Sequence, residues 1–233
     1  MGSGLAAKFG ILARGGGEAF QEAAQLDVIV FDKTGTLTEG GDPKVTNVDV
    51  TTDNTDLALS REEILGIALE IESASSHPLA TAISSYCEEN SVKPQSGTSV
   101  EETPGRGLKA SFASLGCTAI IGNEPWMEQH NAKVDGRISE LLYSWKSEGK
   151  SVVLLAVQPE STAAFSVVAA FAVADPIRPE AKEVLARLQG QGLGTWMISG
   201  DNAITAKAVA RSVGIPETNV IAEVLPHQKV SMK

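Results

Sequence analysis

One stretch constrains this chain more than any other. Val28-Ile29-Val30-Phe31 is a run of strand-forming apolar residues that stops abruptly at Asp32. A polar, glycine-containing loop follows, Lys33-Thr34-Gly35-Thr36-Leu37-Thr38. The spacing predicts a short strand buried on both faces, as in a parallel sheet covered by helices. In open parallel sheets, reactive groups collect beyond the carboxyl ends of the strands. Asp32 sits at that position. An Asp after a strand can also be a simple turn former.

A second stretch has the same design. Thr195-Trp196-Met197-Ile198 reads as another short buried strand, and it ends at Ser199-Gly200-Asp201-Asn202. Ala203 to Val213 then reads as a helix stopped by Gly214-Ile215-Pro216. A helix cap is the plain alternative for this second polar cluster. Before it, Pro176 to Pro179 breaks a strand and leads into a helix with Ala181, Val184, Leu185 and Leu188 on one face. Val220 to Glu223 reads as a last short strand.

Between these α/β pieces the pattern changes. Lys44 to Val50 alternates as a half-exposed strand. Ser60 and Glu63 fit a capping box, and Ile64, Ile67, Ala68 and Ile71 continue at helical spacing. Pro78 suits the first turn of another helix with Leu79, Ala82, Ile83 and Tyr86 inward. Strands are expected between Ser99 and Asn123, around a turn at Pro104 to Gly107, then helices over 124–129 and 136–147. Strands return over 151–157 and 165–173. The longest apolar run, Ala163 to Ala174, is shorter than the roughly 20 residues of a spanning helix and reads better as a strand pair. This middle part is an α+β module of roughly 130 residues, an ordinary domain size.

The chain therefore leaves an α/β domain after its first strand, builds a second domain and returns. The expected boundaries are 1–42, 43–173 and 174–233, with a two-stranded hinge near Gly40 to Pro43 and near Asp175.

Composition narrows the partners. Of 233 residues, 42% are hydrophobic and 21% charged, so a folded globular chain is expected. The net charge of -10 argues against a nucleic-acid partner, though a nucleotide needs only a local pocket. Cys87 and Cys117 lie far apart and fit reduced core thiols. His77, His130 and His227 are scattered, which disfavours a metal cluster. No charged-then-apolar leader opens the chain.

The string Asp32-Lys33-Thr34-Gly35-Thr36-Leu37-Thr38 resembles the phosphorylation motif of P-type ATPases, ion pumps with a haloacid-dehalogenase-like phosphorylation domain. Ser199-Gly200-Asp201 resembles the family's second motif, with serine in place of threonine. Lys229, in Pro226-x-x-Lys229, resembles the lysine that neutralises the phosphate. Glu72-Ser73-Ala74-Ser75-Ser76-His77-Pro78 resembles the Ser-Glu-His-Pro signature of the heavy-metal group, although Ser76 stands where glutamate is common. Gly105-Arg106-Gly107 and Asn123 resemble further nucleotide-site positions. Gly4 to Gly16 is similar to the stretch where these pumps leave the membrane; Met1 to Gly4 also fits an expression scar.

The resemblance covers nearly the whole chain and points to the copper-transporting branch. It implies a Rossmann-like phosphorylation domain with an inserted α+β nucleotide-binding domain. The C-terminal Gly-Asp-Gly-x-Asn-Asp motif of the family is not in the sequence, so the first domain is expected to be incomplete. It implies an aspartyl-phosphate at Asp32 formed from ATP, with Lys33, Thr34, Ser199, Gly200, Asp201 and Lys229 around it. Mg²⁺ would be held by the Asp32 carboxylate and the Thr34 carbonyl. Glu72, His77, Pro78, Gly105, Gly107 and Asn123 would hold the nucleotide. The partners implied are ATP, the membrane and actuator domains of the same pump, and its metal-ion cargo, with the chain at the cytoplasmic face of a membrane and soluble as a fragment. Related phosphatases carry an acid two positions after the nucleophile. Thr34 cannot serve as one near neutral pH. A soluble phosphatase and a non-catalytic nucleotide-binding module remain the competing functions.

Overall fold

The computed structural model describes residues 16–41, 43–52 and 57–224, together with Gly4, Ala7 and Lys8. Most of the glycine-rich N-terminal stretch, and Pro226, His227 and Lys229, lie outside the described residues.

Two separate sheets organise the chain. After helix α1 (Gly16–Ala23), strand β1 (Val28–Asp32) pairs in parallel with β8 (Gly194–Ile198), and β8 pairs in parallel with β9 (Val220–Ile221). Helices α6 (Ala181–Gly190) and α7 (Ala203–Val213) bury a core with this sheet, built from Leu37, Leu185, Met197, Ala206, Val209 and Val213. Asn202 caps α7, its Oδ1 accepting from the backbone N–H of Ile204 and Thr205, both at 3.0 Å. Gly214, at φ 88°, ends the helix in the left-handed region that glycine enters without steric cost.

The second sheet is antiparallel and six-stranded, in the order β2-β7-β6-β5-β4-β3. Its strands are β2 (Lys44–Val50), β3 (Thr98–Thr103), β4 (Gly107–Phe112), β5 (Cys117–Gly122), β6 (Ser151–Pro159) and β7 (Ser166–Ala174). Helices α2 (Arg61–Glu72) and α3 (Pro78–Glu89) cover one face, burying Ile64, Ile67, Ile71 and Ile83 against Phe112, Ile121 and Phe171. Helices α4 (Glu124–Gln129) and α5 (Gly136–Ser147) cover the other, with Trp126, Met127, Ile138 and Trp145 against Ile120, Leu154 and Val167. The period-2 pattern of β5 and β6 supplies both cores, because successive side chains point to opposite faces. The Ser60 capping box is formed, with Ser60 Oγ accepting from Glu63 N–H at 3.2 Å and Glu63 Oε2 accepting from Ser60 N–H at 2.8 Å. This is the α/β chain with an antiparallel, helix-flanked insertion that the sequence leads one to expect.

Three expectations are corrected. Strand β1 is not buried on both faces: Val28 and Val30 are 46% and 53% exposed. It is an edge strand among the described residues, and α6 and α7 cover only the face bearing Phe31. Val184 is likewise exposed rather than on the inward stripe of α6, which rests on Ala181 and Leu185. The apolar run from Ala163 to Ala174 contains one strand, β7, not a pair.

The two connections between the sheets run side by side. Glu39 N–H donates to Pro176 O and Arg178 N–H to Leu37 O, each at 2.9 Å. Asp175 clasps this ribbon, its Oδ2 accepting from Thr38 Oγ1 at 2.5 Å and its Oδ1 from Gly40 N–H at 3.0 Å.

Candidate active site

Parallel pairing of β1 with β8 brings the two polar strand ends together. Asp32 stands in register with Ile198, so Ser199 begins where Asp32 ends. The chain then turns through Lys33–Leu37, closed by Thr38 N–H donating to Lys33 O at 3.0 Å. Gly35 takes φ 76° in this turn, a conformation that a side chain would strain. Arg178 Nη2 donates to Gly35 O at 3.3 Å, which ties the turn to the ribbon.

Lys33 points inward. It is 5% exposed, and its Nζ meets Asp201 Oδ2 at 2.6 Å. Ser199 Oγ donates to the same Oδ2 at 2.8 Å, and Ser151 Oγ donates to Oδ1 at 2.7 Å. Burial pushes the Asp201 carboxyl up, but Lys33 and the two hydroxyls outweigh it and hold Asp201 below the usual carboxylate range. Asp201 is therefore an anion fixed by a lysine beside Asp32. The α7 cap is Asn202, so Asp201 is not needed as one. Gly200 sits under Val224 O, 3.4 Å from where a Cβ would lie.

Thr34 is exposed at the turn and supplies no acid. Asp32 and the Thr34 carbonyl are hard oxygen donors of the type Mg²⁺ takes while keeping several waters. Among the described residues no group of three or more His, Cys, Asp or Glu gathers for a metal. The donor set thus fits a lightly held Mg²⁺ rather than a closed protein cage.

The residues expected to hold a nucleotide divide into two groups. Glu72 ends α2 and is 5% exposed. Its burial, and then the charge of Glu102 on β3, push its carboxyl up to about 7. His77 caps α3 and precedes Pro78 at the first helical position; its Nδ1 accepts from Leu79 N–H at 3.2 Å. That bond needs Nδ1 without a proton, so in the neutral ring Nε2 carries the hydrogen. Desolvation lowers the His77 pKa, while Asp201 and Glu102 pull it back up. The charges of exposed Glu102 and of Asp201 thus both act on His77.

Gly105, Gly107 and Asn123 form the second group. Asn123 Nδ2 donates to Gly105 O at 3.0 Å, and its Oδ1 accepts from Trp126 N–H at 3.0 Å as the cap of α4. Both ends of this amide are engaged in holding the turn and the helix. A Cβ on Gly107 would lie 2.2 Å from Ile121 O, and one on Gly122 would lie 2.4 Å from Arg106 O. Close strand approach under Trp126 thus accounts for both glycines without a ligand. Sequence reasoning missed Ser151 and Glu102, which reach the site only through tertiary contacts, and Asp175, named only as a crossing point. Lys229 lies outside the described residues.

Comparison with known proteins places the chain in a family. A family model described as haloacid dehalogenase-like hydrolase matches residues 26–231. The chain is 35% identical over 232 residues to a copper-exporting P-type ATPase of Staphylococcus saprophyticus, covering 99% of this chain and 26% of that protein. It is 34% identical over 231 residues to a probable copper-importing P-type ATPase A of Enterococcus hirae, covering 99% of this chain and 29% of that protein. The chain thus spans between a quarter and a third of the length of these relatives. Among solved structures, a zinc-transporting PIB-type ATPase in its E2.Pi state superposes with a TM-score of 0.61 at 28% identity, over 99% of this chain and 34% of that one. The catalytic CPx-ATPase domain CopB-B shares the fold, with a TM-score of 0.65 at 22% identity over 99% of this chain and 73% of that one. On the match over residues 26–231 and the paired strand-end motifs, the chain belongs to the haloacid dehalogenase-like hydrolase family.

Proposed function

We propose that this chain is the ATP-binding and phosphorylation region of a heavy-metal-translocating P-type ATPase, a copper exporter, acting at the cytoplasmic face of a membrane. One observation carries the reading: Asp32 and the Lys33–Asp201–Ser199 cluster meet at adjacent parallel strand ends, with Thr34 in place of an acid. No helix among the described residues is long and apolar enough to cross a membrane, so transport belongs to other parts of such a pump.

In this reading a carboxylate oxygen of Asp32 attacks the γ-phosphorus of ATP. The bond to the bridging oxygen breaks, its electron pair leaves on ADP, and an aspartyl-phosphate remains. In this reading Lys33 and Ser199, held by Asp201 in the unliganded chain, neutralise charge on the phosphoryl oxygens, with Lys229 as the further cation that the family resemblance assigns. Mg²⁺ held by Asp32 and the Thr34 carbonyl would supply charge neutralisation. Glu72 and His77 hold the nucleotide base, while Pro78 sets the start of the helix that carries His77. The Gly105–Gly107 turn, pinned by Asn123, offers backbone to the phosphates. The proposed domains are 1–42 with 174–233, and 43–173 between them.

Thr34 also separates this reading from a soluble phosphatase. With no general acid two positions after Asp32, the phosphoenzyme persists until another domain delivers water. The isolated chain is expected to bind ATP through the inserted module but not to turn it over. Calorimetry with ATP should show binding that His77→Gln weakens and Asp32→Asn leaves in place. Steady-state hydrolysis that disappears in Asp32→Asn would overturn the no-turnover reading. Loss of binding only with the Asp32 change would overturn the nucleotide-site assignment.

A further inference from the structure

The contact between the two sheets falls on the charged cluster beside Asp32. Ser151 is the first residue of β6, in the six-stranded sheet, yet its Oγ lies 2.7 Å from Asp201 Oδ1 in the other part of the chain. The neighbouring residue joins in: Thr205 Oγ1, fully buried on α7, donates to Lys150 O at 2.9 Å. Gly149, at φ 81°, brings the turn so near α7 that a Cβ there would lie 3.2 Å from Val209 Cγ2. Three consecutive residues, Gly149 to Ser151, therefore seat on α7 and on the carboxylate that Lys33 pairs with.

The hydroxyl does more than fill space. Asp201 Oδ2 is taken by Lys33 and Ser199, which leaves Oδ1 to Ser151. A mostly desolvated carboxylate, 17% exposed here, loses stability when one oxygen lacks a donor, and hydrogen bonds to a charged group are the stronger kind. Undocking the six-stranded module removes that donor and leaves the charge to Lys33 and Ser199, both on the other oxygen.

We infer that Ser151 is a positioning residue for the phosphorylation site: docking of the inserted module and the orientation of Asp201 against Lys33 are a single coupled arrangement made through its hydroxyl. The inference rests on the proposed role of the Asp32 cluster in phosphoryl transfer. Lys33 and Ser199 bond Asp201 from its own part of the chain and Ser151 bonds it from the inserted one, while the charge of Asp201 acts on His77 without a direct bond.

Hydrogen exchange on the whole chain, without nucleotide, tests it. In Ser151→Ala, amides of residues 149–152 and of 201–209 should exchange faster together, by about tenfold. Amides at the centres of β5 and β7 should keep their rates, and Ser151→Thr should restore the slow pattern. Ser139→Ala, on the exposed face of α5, is the control and should change neither patch. As pH falls, the joint acceleration should begin at a higher pH in Ser151→Ala than in the wild type, because the variant's Asp201 has lost a donor that favours its charged form. Acceleration confined to residues 149–152, unchanged rates in both patches, or uniform acceleration through both cores would each overturn the inference. ATP binding measured in parallel separates this from the nucleotide reading. A wild-type chain that fails to bind ATP but shows the coupled exchange sinks only the latter.

Discussion

At the scale of single residues, the site is an exercise in unequal burial. Asp201 is partly buried but kept charged by Lys33 and two hydroxyls, while Glu72 is buried near a second carboxylate and is driven towards its neutral form. The consequence for Glu72 can be signed. Its folded-state pKa is raised from 4.5 to about 7, so between those values the folded chain holds a proton that the unfolded chain has released. Stability from this group is therefore lost as pH rises from 4.5 through 7, by about 3 kcal/mol at most. Glu72→Gln should remove that slope. Denaturant midpoints at pH 5 and pH 8 should differ less in the variant than in the wild type, with the variant the more stable at pH 8. Equal slopes in the two proteins would mean that Glu72 ionises normally. Cys87 and Cys117, by contrast, are plain core thiols, free and buried, with burial first pushing them up to about 12 and about 11. That role was legible from their spacing alone.

At the scale of elements, the glycine clasp between β4 and β5 makes a sharp prediction. Gly107 and Gly122 face each other in register beneath Trp126, and a Cβ on either would enter the other strand's backbone. Gly122→Ala should destabilise the chain by about 1–3 kcal/mol, as overpacking of a rigid contact does. Thermal unfolding would read this as a lowered midpoint even without nucleotide, and an unchanged midpoint would show that the strands can part freely. The helices of the inserted module could be read from the sequence because their signals are local. The Ser60 capping box, Pro78 at a first turn and the helices at 124–129 and 136–147 all rest on residues a few positions apart. The misread elements depended on what lies across the sheet. Val28 and Val30 belong to a β-rich apolar run whether one face or two are covered, and only tertiary structure decides which. Val184 fits the helical period yet turns outward, because α6 meets its neighbours through a narrow stripe. Gly107 was legible as a special glycine but not as a packing one, since Ile121 and Trp126 approach it from other elements.

At the scale of the whole molecule, two arrangements among the described residues join the parts: the ribbon clasped by Asp175, and the seat of Gly149 to Ser151 on α7 and Asp201. The seat closes on Asp201, the partner of Lys33, and the ribbon runs directly into the Lys33–Leu37 turn through Thr38. Motif pairing across long sequence separation revealed the two strand ends as one site. Ser151 carried no such signal, because a serine opening a strand is ordinary until its partner, Asp201, is known. The central claim is that Asp32 accepts a phosphoryl group from ATP and keeps it. It is tested directly by acid-quenched labelling of the proposed pump with this chain as its phosphorylation region, using ATP labelled on its γ-phosphate with Mg²⁺ present. One acid-stable, hydroxylamine-labile phosphorylated residue should map to Asp32 and be absent from Asp32→Asn. Label persisting in Asp32→Asn, or phosphate released from the wild type with no trapped phosphoenzyme, would contradict it.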